Sequence, residues 1–557
     1  MNFKINESAT KLRGGYYTPE DVARYFAKWV LGIKPRSILE PSCGDGAFIR
    51  ALKGQHRFRL FLAGVELVNE EARKSRKACK ENDLIDGKIV TGDFLEWGLK
   101  SIEAGTQFSA ILGNPPYIRY QYLTPKDQIL AEKLFVKFGL SFTKHTNAWV
   151  PFVIASVAIL EDGGRLGMVV PAEILHVLHA TSLRKYMLTQ CSKIVIIDPN
   201  ELLFDNALQG TVLLMVEKKK KPDSASQGVA VITGAKEDLL GREPEKLFET
   251  AKPVSGGVLN GKWMKVLLTP RELEVFESAK LKKRVRLFRD VASVDVGIVT
   301  GANKFFLVND QIVNEYGLNR YSRPMFGRSE HCPGVIYDRD GHTTKNEGGT
   351  ASNFVMIGNT PMEELPQRVQ DYIKYGEDQR LHKRYKCRIR SPWYSVPSVY
   401  STEVAMLKRA HNFPRLILNS ARVYTTDTAY RIKIIDPSIR PESLVYGFIN
   451  SLSALCGELE GRHYGGGVLE MVPSEIEKML IPIVSVSISD LKRLDLLVKS
   501  NRSAEDVLRM QDEVVLKAAG FTKEEASILH KAWRRIRSRR MRLVHQEKGD
   551  SISDEPN

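Results

Sequence analysis

The sequence predicts an α/β fold: a doubly wound, Rossmann-like domain, then a mixed α+β region and a helical C-terminal segment. Three observations carry this. Up to residue 217, short apolar runs alternate with helical patterns, the arrangement that builds a largely parallel sheet through helical crossovers. From about 255 the texture shifts to short strands and loops rich in Gly, Pro, Tyr and Arg, and residues 485–545 turn helical again. With 557 residues, 43% hydrophobic and 27% charged, the chain supports about two to four buried cores, which excludes global disorder.

Ser37–Glu40 reads as the first strand, followed by a Gly-containing turn and a helical run over 47–52. Phe58–Glu66 is a second, buried strand, and the charged pattern from Asn69 to Asn82 is its crossover helix. Lys88–Thr91 and Phe108–Leu112 follow as strands three and four. Gly164–Val170, Lys193–Asp198 and Gly210–Glu217 complete the series. The lysine run Lys218–Lys221, leading into Pro, Asp and Ser residues, reads as an exposed connector. The expected division is therefore 1–220 as one domain, 221–255 as linker, 256–485 as a second domain and 486–557 as a basic helical segment. No internal repeat marks a solenoid.

Lys and Arg number 82 against 66 Asp and Glu, a net charge of +16 that suits a polyanionic partner. Residues 1–250 carry +5 of it and residues 251–557 carry +11. Six arginines fall within the nine positions Arg534–Arg542; they are either a solvated helix face or contacts to a phosphate backbone. The six cysteines are scattered, with no CxxC or Cys/His cluster, so neither a disulfide scaffold nor a cysteine zinc site, nor any metal, is expected. The N-terminus is polar and lacks a signal-peptide core. The most apolar stretch, Trp149–Leu160, is about half the length that spans a bilayer, so no membrane partner is expected.

Ligands of doubly wound sheets bind beyond the carboxyl ends of the strands, so the residues there deserve inspection. After the first strand comes Glu40-Pro41-Ser42-Cys43-Gly44-Asp45-Gly46. It is neither the dinucleotide GxGxxG nor a Walker loop, and taken alone it reads better as a structural turn than as a ligand loop. Glu66 ends the second strand, where a carboxylate can accept from both ribose hydroxyls of a nucleoside. Asp93 and Phe94 follow the third, offering an acceptor for an adenine amino group and a stacking ring; a turn residue and a core filler are the plain alternatives. The fourth strand runs into Asn114-Pro115-Pro116-Tyr117. Two prolines stiffen the backbone and remove two donors, Asn adds an acceptor, and Tyr adds a π-face.

In this order these motifs resemble the N6-adenine DNA methyltransferases of the gamma arrangement, the group of the TaqI methyltransferase, with cofactor motifs first, NPPY next and DNA recognition last. The resemblance is specific over about 14–217 and looser to about 485, and Tyr17-Thr18-Pro19 matches the N-terminal cofactor motif. It implies S-adenosylmethionine as cofactor, with Tyr17 and Thr18 in that motif, and with Thr18, Glu40, Cys43, Gly44 and Gly46 around the methionine part. Glu66 would hold the ribose, and Asp93 and Phe94 the adenine. Asn114, Pro115, Pro116 and Tyr117 would form the catalytic motif, Asn114 also bordering the cofactor. Phe204 looks like the aromatic that faces Tyr117 across a flipped base. It implies double-stranded DNA as substrate, a site-specific modification enzyme in a bacterial or archaeal cytoplasm, and a separately encoded restriction endonuclease as a possible partner. Three segments, Val299–Phe306, Arg390–Tyr394 and Gly461–Gly467, look like parts of the recognition region. NPPY also occurs in protein glutamine methyltransferases, and N4-cytosine methylation or a non-catalytic DNA-binding subunit are further readings. Asp86-Gly87-Lys88, a nuclease-like triplet, reads as a turn.

Overall fold

The computed structural model describes residues 17–550 apart from 202, 204–209, 260, 327–331, 341 and 343–350. The chain divides into two compact units, one comprising the residues up to Thr269 together with those from Arg542 on, and one running from Pro270 to Met541.

The first unit is built on an eight-stranded sheet: β1 (Ser37–Glu40), β2 (Leu60–Glu66), β3 (Ile85–Thr91), β4 (Phe108–Gly113), β5 (Leu160–Pro171), β6 (Cys191–Pro199), β7 (Thr211–Lys218) and β8 (Val229–Gly234), in the order 3-2-1-4-5-7-6-8. Strands 3-2-1-4-5 pair in parallel, and β7 enters antiparallel between β5 and β6. Crossover helices α1 (Glu20–Leu31), α2 (Ala47–Leu52), α3 (Asn69–Lys80), α4 (Phe94–Glu103), α5 (Pro125–Lys137) and α6 (Trp149–Ile159) lie among the first five strands, and α7 (Thr181–Gln190) joins β5 to β6. The ends of α1 follow from its sequence: Glu20 and Asp21 favour the positive N-terminal end of the helix dipole, and Lys28 the negative end. Its buried face packs Phe26 and Trp29 with Phe48 of α2 into the core on one side of the sheet. The apolar run 149–160 is α6 plus the first residue of β5, buried on nearly every side. No helix among the described residues is long and apolar enough to cross a membrane.

Two expectations need correction. Residues 221–255 are not a linker: they contain β8, which pairs in parallel with β6 from Ile194↔Val229 to Pro199↔Gly234. A helix follows over Pro244–Thr250, its Phe248 ring 5.0 Å from that of Trp29, while Glu245 receives two hydrogen bonds from Arg165 at 2.6 and 2.7 Å. The lysine run conceals this continuation. Lys218 closes β7 and turns its ammonium onto the Leu160 carbonyl at 2.5 Å, so it is nearly buried. Asp86-Gly87-Lys88 is not a turn but part of β3, which begins at Ile85. Gly87 is there because a Cβ would lie 2.5 Å from Cys79 Sγ of α3.

The second unit contains a five-stranded mixed sheet over 292–296, 429–434, 404–407, 416–419 and 336–337, and a smaller four-stranded sheet. Helices Ile488–Lys499, Ala504–Asp512 and Lys523–Asp550 close the chain. The arginine run lies on the last of these, and four of its members, Arg534, Arg535, Arg537 and Arg540, are engaged by the protein itself. Arg540 is buried and donates Nε and Nη2 to Glu458 at 2.9 and 2.7 Å, with the carbonyls of His411 and Gly467 as further acceptors. Arg534 pairs with Glu505 and Arg535 with Glu272; Arg537 reaches Asn412 and lies over the Trp533 ring. Burial alone would raise the Glu458 pKa, but Arg540 and His463 outweigh it and hold the carboxyl at about 2. The Gly461–Gly467 segment thus ends on a buried ion-pair network, since the Gly467 carbonyl is one of its acceptors.

Candidate active site at the strand ends

Order reverses between β1 and β4, and at such a switch point the loops diverge and leave a crevice. The loops after β1, β2, β3 and β4 meet there. The β1 loop turns through two left-handed glycines, Gly44 at φ +50° and Gly46 at φ +86°. Gly46 also has no room for a side chain: a Cβ would lie 3.2 Å from Ala78 Cβ and from Ser75 Cα. Gly44 is different, with nothing within 4 Å of its Cβ position, so its backbone borders open space.

The loop is held from both sides. Cys43 N–H donates to the Val65 carbonyl at 3.1 Å, and Ser75 Oγ of α3 donates to the Gly44 carbonyl at 2.9 Å. Glu66 joins the β1 and β2 loops, one oxygen accepting from Gly44 N–H and the other from Val68 N–H, each at 2.9 Å. A carboxylate keeps lone pairs beyond those two bonds, so Glu66 retains acceptor capacity toward a diol. Ser42 Oγ donates to the Asn114 carbonyl at 3.0 Å and ties the β1 loop to the NPPY strand end.

Glu40 is the unusual group. It is 2% exposed and its Oε2 has no hydrogen-bond partner among the described residues. Burial, followed by the charges of Asp45 and Glu66, holds its carboxyl well above the usual range. Arg50 engages Asp45 at 2.7 Å, so the pocket stays acidic with one acceptor unmet. The complement of such a pocket is a cation. S-adenosylmethionine brings an ammonium and a sulfonium, and the orphaned Glu40 oxygen together with the open face of Gly44 fit its methionine end. Cys43 is buried, and burial followed by the Glu40 charge pushes its thiol far up, so it lines the loop as a thiol rather than a nucleophile.

At the β4 end Tyr117 donates its hydroxyl to Asn114 Oδ1 at 2.8 Å, with the Val169 carbonyl of β5 as a second acceptor at 3.1 Å. The tyrosine therefore fixes which way the Asn114 amide oxygen points. Pro115 is buried; Asn114, Pro116 and Tyr117 are half-buried.

The structure brings Glu40, Cys43, Gly44, Gly46, Glu66 and Asn114 to this crevice and refines two others. Asp93 caps α4, accepting from Glu96 N–H at 2.8 Å, and burial raises its pKa. The Phe94 ring does not offer an open stacking face: it is 2% exposed, with the Phe152 ring 4.9 Å away and Trp97 at 6.1 Å. An aromatic at the first position of an amphipathic helix packs inward, which is the core-filler alternative. Tyr17 is exposed beside Glu71 and Lys74, and Thr18 is half-buried just before α1. Phe204 lies outside the described residues. Ser42 and Ser75 are contributors the sequence reading passed over. The one available signal was Ser75, a polar residue buried on the inner face of an otherwise charged helix.

A sheet with β7 inserted antiparallel between β5 and β6, and an acidic strand-end loop tied to an Asn-Pro-Pro-Tyr segment, agree with the S-adenosylmethionine-dependent methyltransferases that the sequence motifs resemble. Residues 3–250 match the N-6 DNA methylase model and residues 260–516 the C-terminal domain of the type II methyltransferase M.Eco57I. The type II methyltransferase M.AccI of Acinetobacter calcoaceticus is 22% identical over 524 residues, 90% of this chain and 92% of that one. M.TthHB8I of Thermus thermophilus is 32% identical over 177 residues, covering 31% of this chain and 38% of its own. Among solved structures, the type IIG restriction endonuclease BpuSI covers 97% of this chain and 67% of its own, at 13% identity and a TM-score of 0.42. The protein is a DNA methyltransferase that uses S-adenosylmethionine, and the N-6 DNA methylase match over residues 3–250 supports adenine N6 as the group it methylates.

Were the cationic end of the cofactor held at Glu40, the burial of that carboxyl would make cofactor binding pH-dependent. Its raised pKa leaves the carboxyl protonated in the free protein up to an unusually high pH, and a bound cation favours the carboxylate. Binding should therefore release a proton, and affinity should fall as pH drops through the raised value. Calorimetry in two buffers of different ionisation enthalpy measures the released proton; Glu40→Gln should abolish it.

Proposed function

We propose that this enzyme is the modification methyltransferase of a restriction–modification system, transferring a methyl group to adenine N6 within one specific sequence of double-stranded DNA. The observation that carries the site assignment is the hydrogen bond from Tyr117 to Asn114 Oδ1 at the end of β4, next to the acidic pocket. The N6 lone pair is conjugated into the adenine ring, so the amino group needs reorganisation more than a strong base. The Asn114 Oδ1 and the Pro115 carbonyl accept its two hydrogens, which favours a pyramidal nitrogen with an available lone pair. Bound S-adenosylmethionine supplies an electrophilic methyl on its sulfonium. Positioning and fixed dipoles do the rest.

A base in a duplex must first leave the stack, and the Tyr117 ring replaces part of the lost stacking. The two contributions of Tyr117 are separable. Tyr117→Phe keeps the ring and loses the hydroxyl that orients Asn114; a hydrogen bond worth about 1 kcal/mol corresponds to a drop in kcat of roughly fivefold. Tyr117→Ala also loses stacking worth about 1–3 kcal/mol per base. A fluorescent base analogue at the target should show flipping unchanged in the first variant and weakened in the second.

A separately encoded endonuclease that cuts the same sequence is the proposed partner, in a bacterial or archaeal cytoplasm. Methylation-sensitive sequencing of host DNA tests the assignment. It should find one sequence modified at adenine, and deletion of the gene should erase that mark; a genome unchanged by deletion would overturn the proposal.

A further inference from the structure

Resting on the reading of the chain as a DNA methyltransferase, we propose that residues 380–390, and not the arginine run near the C-terminus, form the main phosphate-binding surface of the second unit. Gln379 to Thr402 contain six Lys or Arg residues and no Asp or Glu. Five of them, Arg380, Lys383, Arg384, Lys386 and Arg388, are exposed on a short turn and the helix Tyr385–Arg388. Among the described residues none of the five is paired with a carboxylate. The arginines at 534, 535 and 540, by contrast, each hold one.

The turn is also built to hold its shape. Buried Leu381 and Cys387 anchor it. The guanidinium of the sixth cation, Arg390, donates to the carbonyls of Thr300 and Val299 at 2.8 and 2.7 Å. Gly301, at φ +79°, lets that loop approach, since a Cβ there would lie 2.7 Å from Lys386 Cβ. This explains why Val299–Gly301 and Arg390 stand out together in the sequence: they are the two sides of one contact.

On the exposed side Tyr385, 64% exposed, lies between Lys386 and Arg388, whose charges are 5.7 and 5.9 Å from its ring centre. Ile389, four residues on, is 62% exposed. Five like charges within nine residues repel one another, and a polyanion relieves that repulsion. Duplex DNA, with a charge about every 1.7 Å of axis, matches such a surface, and an exposed ring among cations suits contact with sugars and bases.

The test uses the full chain with Lys383, Arg384, Lys386 and Arg388 changed together to Ala, and reads duplex affinity across salt concentrations by fluorescence anisotropy. Each phosphate contact contributes about 0.9 to the slope of log K against log[salt], so the slope should fall by roughly two to four and low-salt affinity by at least tenfold. Cofactor binding, measured by calorimetry, should be unchanged. Arg534→Ala with Arg535→Ala should leave the slope as it is. If the fourfold variant fails to fold, Arg384→Glu and Arg388→Glu singly should each lower the slope by about one. An unchanged slope in the 383–388 variants, or a fall confined to the 534–535 variant, would overturn the location alone. A wild-type chain with no salt-dependent DNA affinity would overturn the DNA reading and the location with it.

Discussion

Asn114→Ala loses methyl transfer by a factor on the order of 10²–10³ or more while cofactor affinity stays within about twofold; the factor is that of removing one preorganised polar group from a reacting centre. The split follows from what each atom does. In the proposed mechanism Asn114 Oδ1, oriented by the Tyr117 hydroxyl, accepts from the amino group to be methylated. The Asn114 carbonyl is engaged with Ser42 Oγ, a main-chain contact that survives truncation of the side chain. The proposed cofactor pocket rests on Glu40, the glycine loop and Glu66, and the two Glu66 hydrogen bonds described above go to the Gly44 and Val68 amides and not to the Asn114 side chain. Single-turnover kinetics with calorimetric cofactor titration measures both quantities. Loss of cofactor binding in step with transfer would show that Asn114 is part of the cofactor pocket instead.

Arg540→Ala destabilises the second unit by about 3–5 kcal/mol, because removing one partner leaves the other charge buried and uncompensated. Glu458 has no exposed side-chain surface, and with Arg540 gone His463 Nε2, at 3.2 Å, is the one cationic group among the described residues left beside its carboxylate. Arg540→Met with Glu458→Gln should recover most of the loss, since neither charge then remains. The effect depends on pH with a definite sign. In the wild type Glu458 is held at about 2, below its ordinary value of 4.5, so it contributes stability above 4.5 that is lost as pH falls toward 2. In Arg540→Ala burial is opposed only by the weaker His463 contact, so the carboxyl protonates more readily and the deficit should shrink on acidification. Thermal melting of both proteins from neutral pH down to about pH 4 measures this. A constant deficit would mean that Arg540 acts through packing and not through its charge pair.

Much of the first unit was legible because its strands are buried on both faces and read as apolar runs, and because its functional groups come immediately after them. Glu40, Glu66 and Asn114 could be found by position alone. What the sequence could not convey was which way a side chain turns. Phe94 carries the right residue type at the right strand end, yet its ring packs inward on Phe152. Lys218 reads as solvent-exposed, yet its stem lies along the sheet with the ammonium on a carbonyl. Charge runs were the least legible feature, since Arg534–Arg542 and Arg380–Arg390 look alike as strings. They differ only in whether carboxylates from distant parts of the chain reach them: Glu458 is 82 residues from Arg540, and Glu272 is 263 residues from Arg535.

The most direct test of the central claim is the fate of the methyl group. The purified chain is incubated with methyl-labelled S-adenosylmethionine and duplex DNA carrying its site, and the DNA is digested to nucleosides and separated. All label should run with N6-methyl-2′-deoxyadenosine, and none should appear with Asn114→Ala. Label on N4-methylcytosine, or in protein with none in DNA, would contradict it.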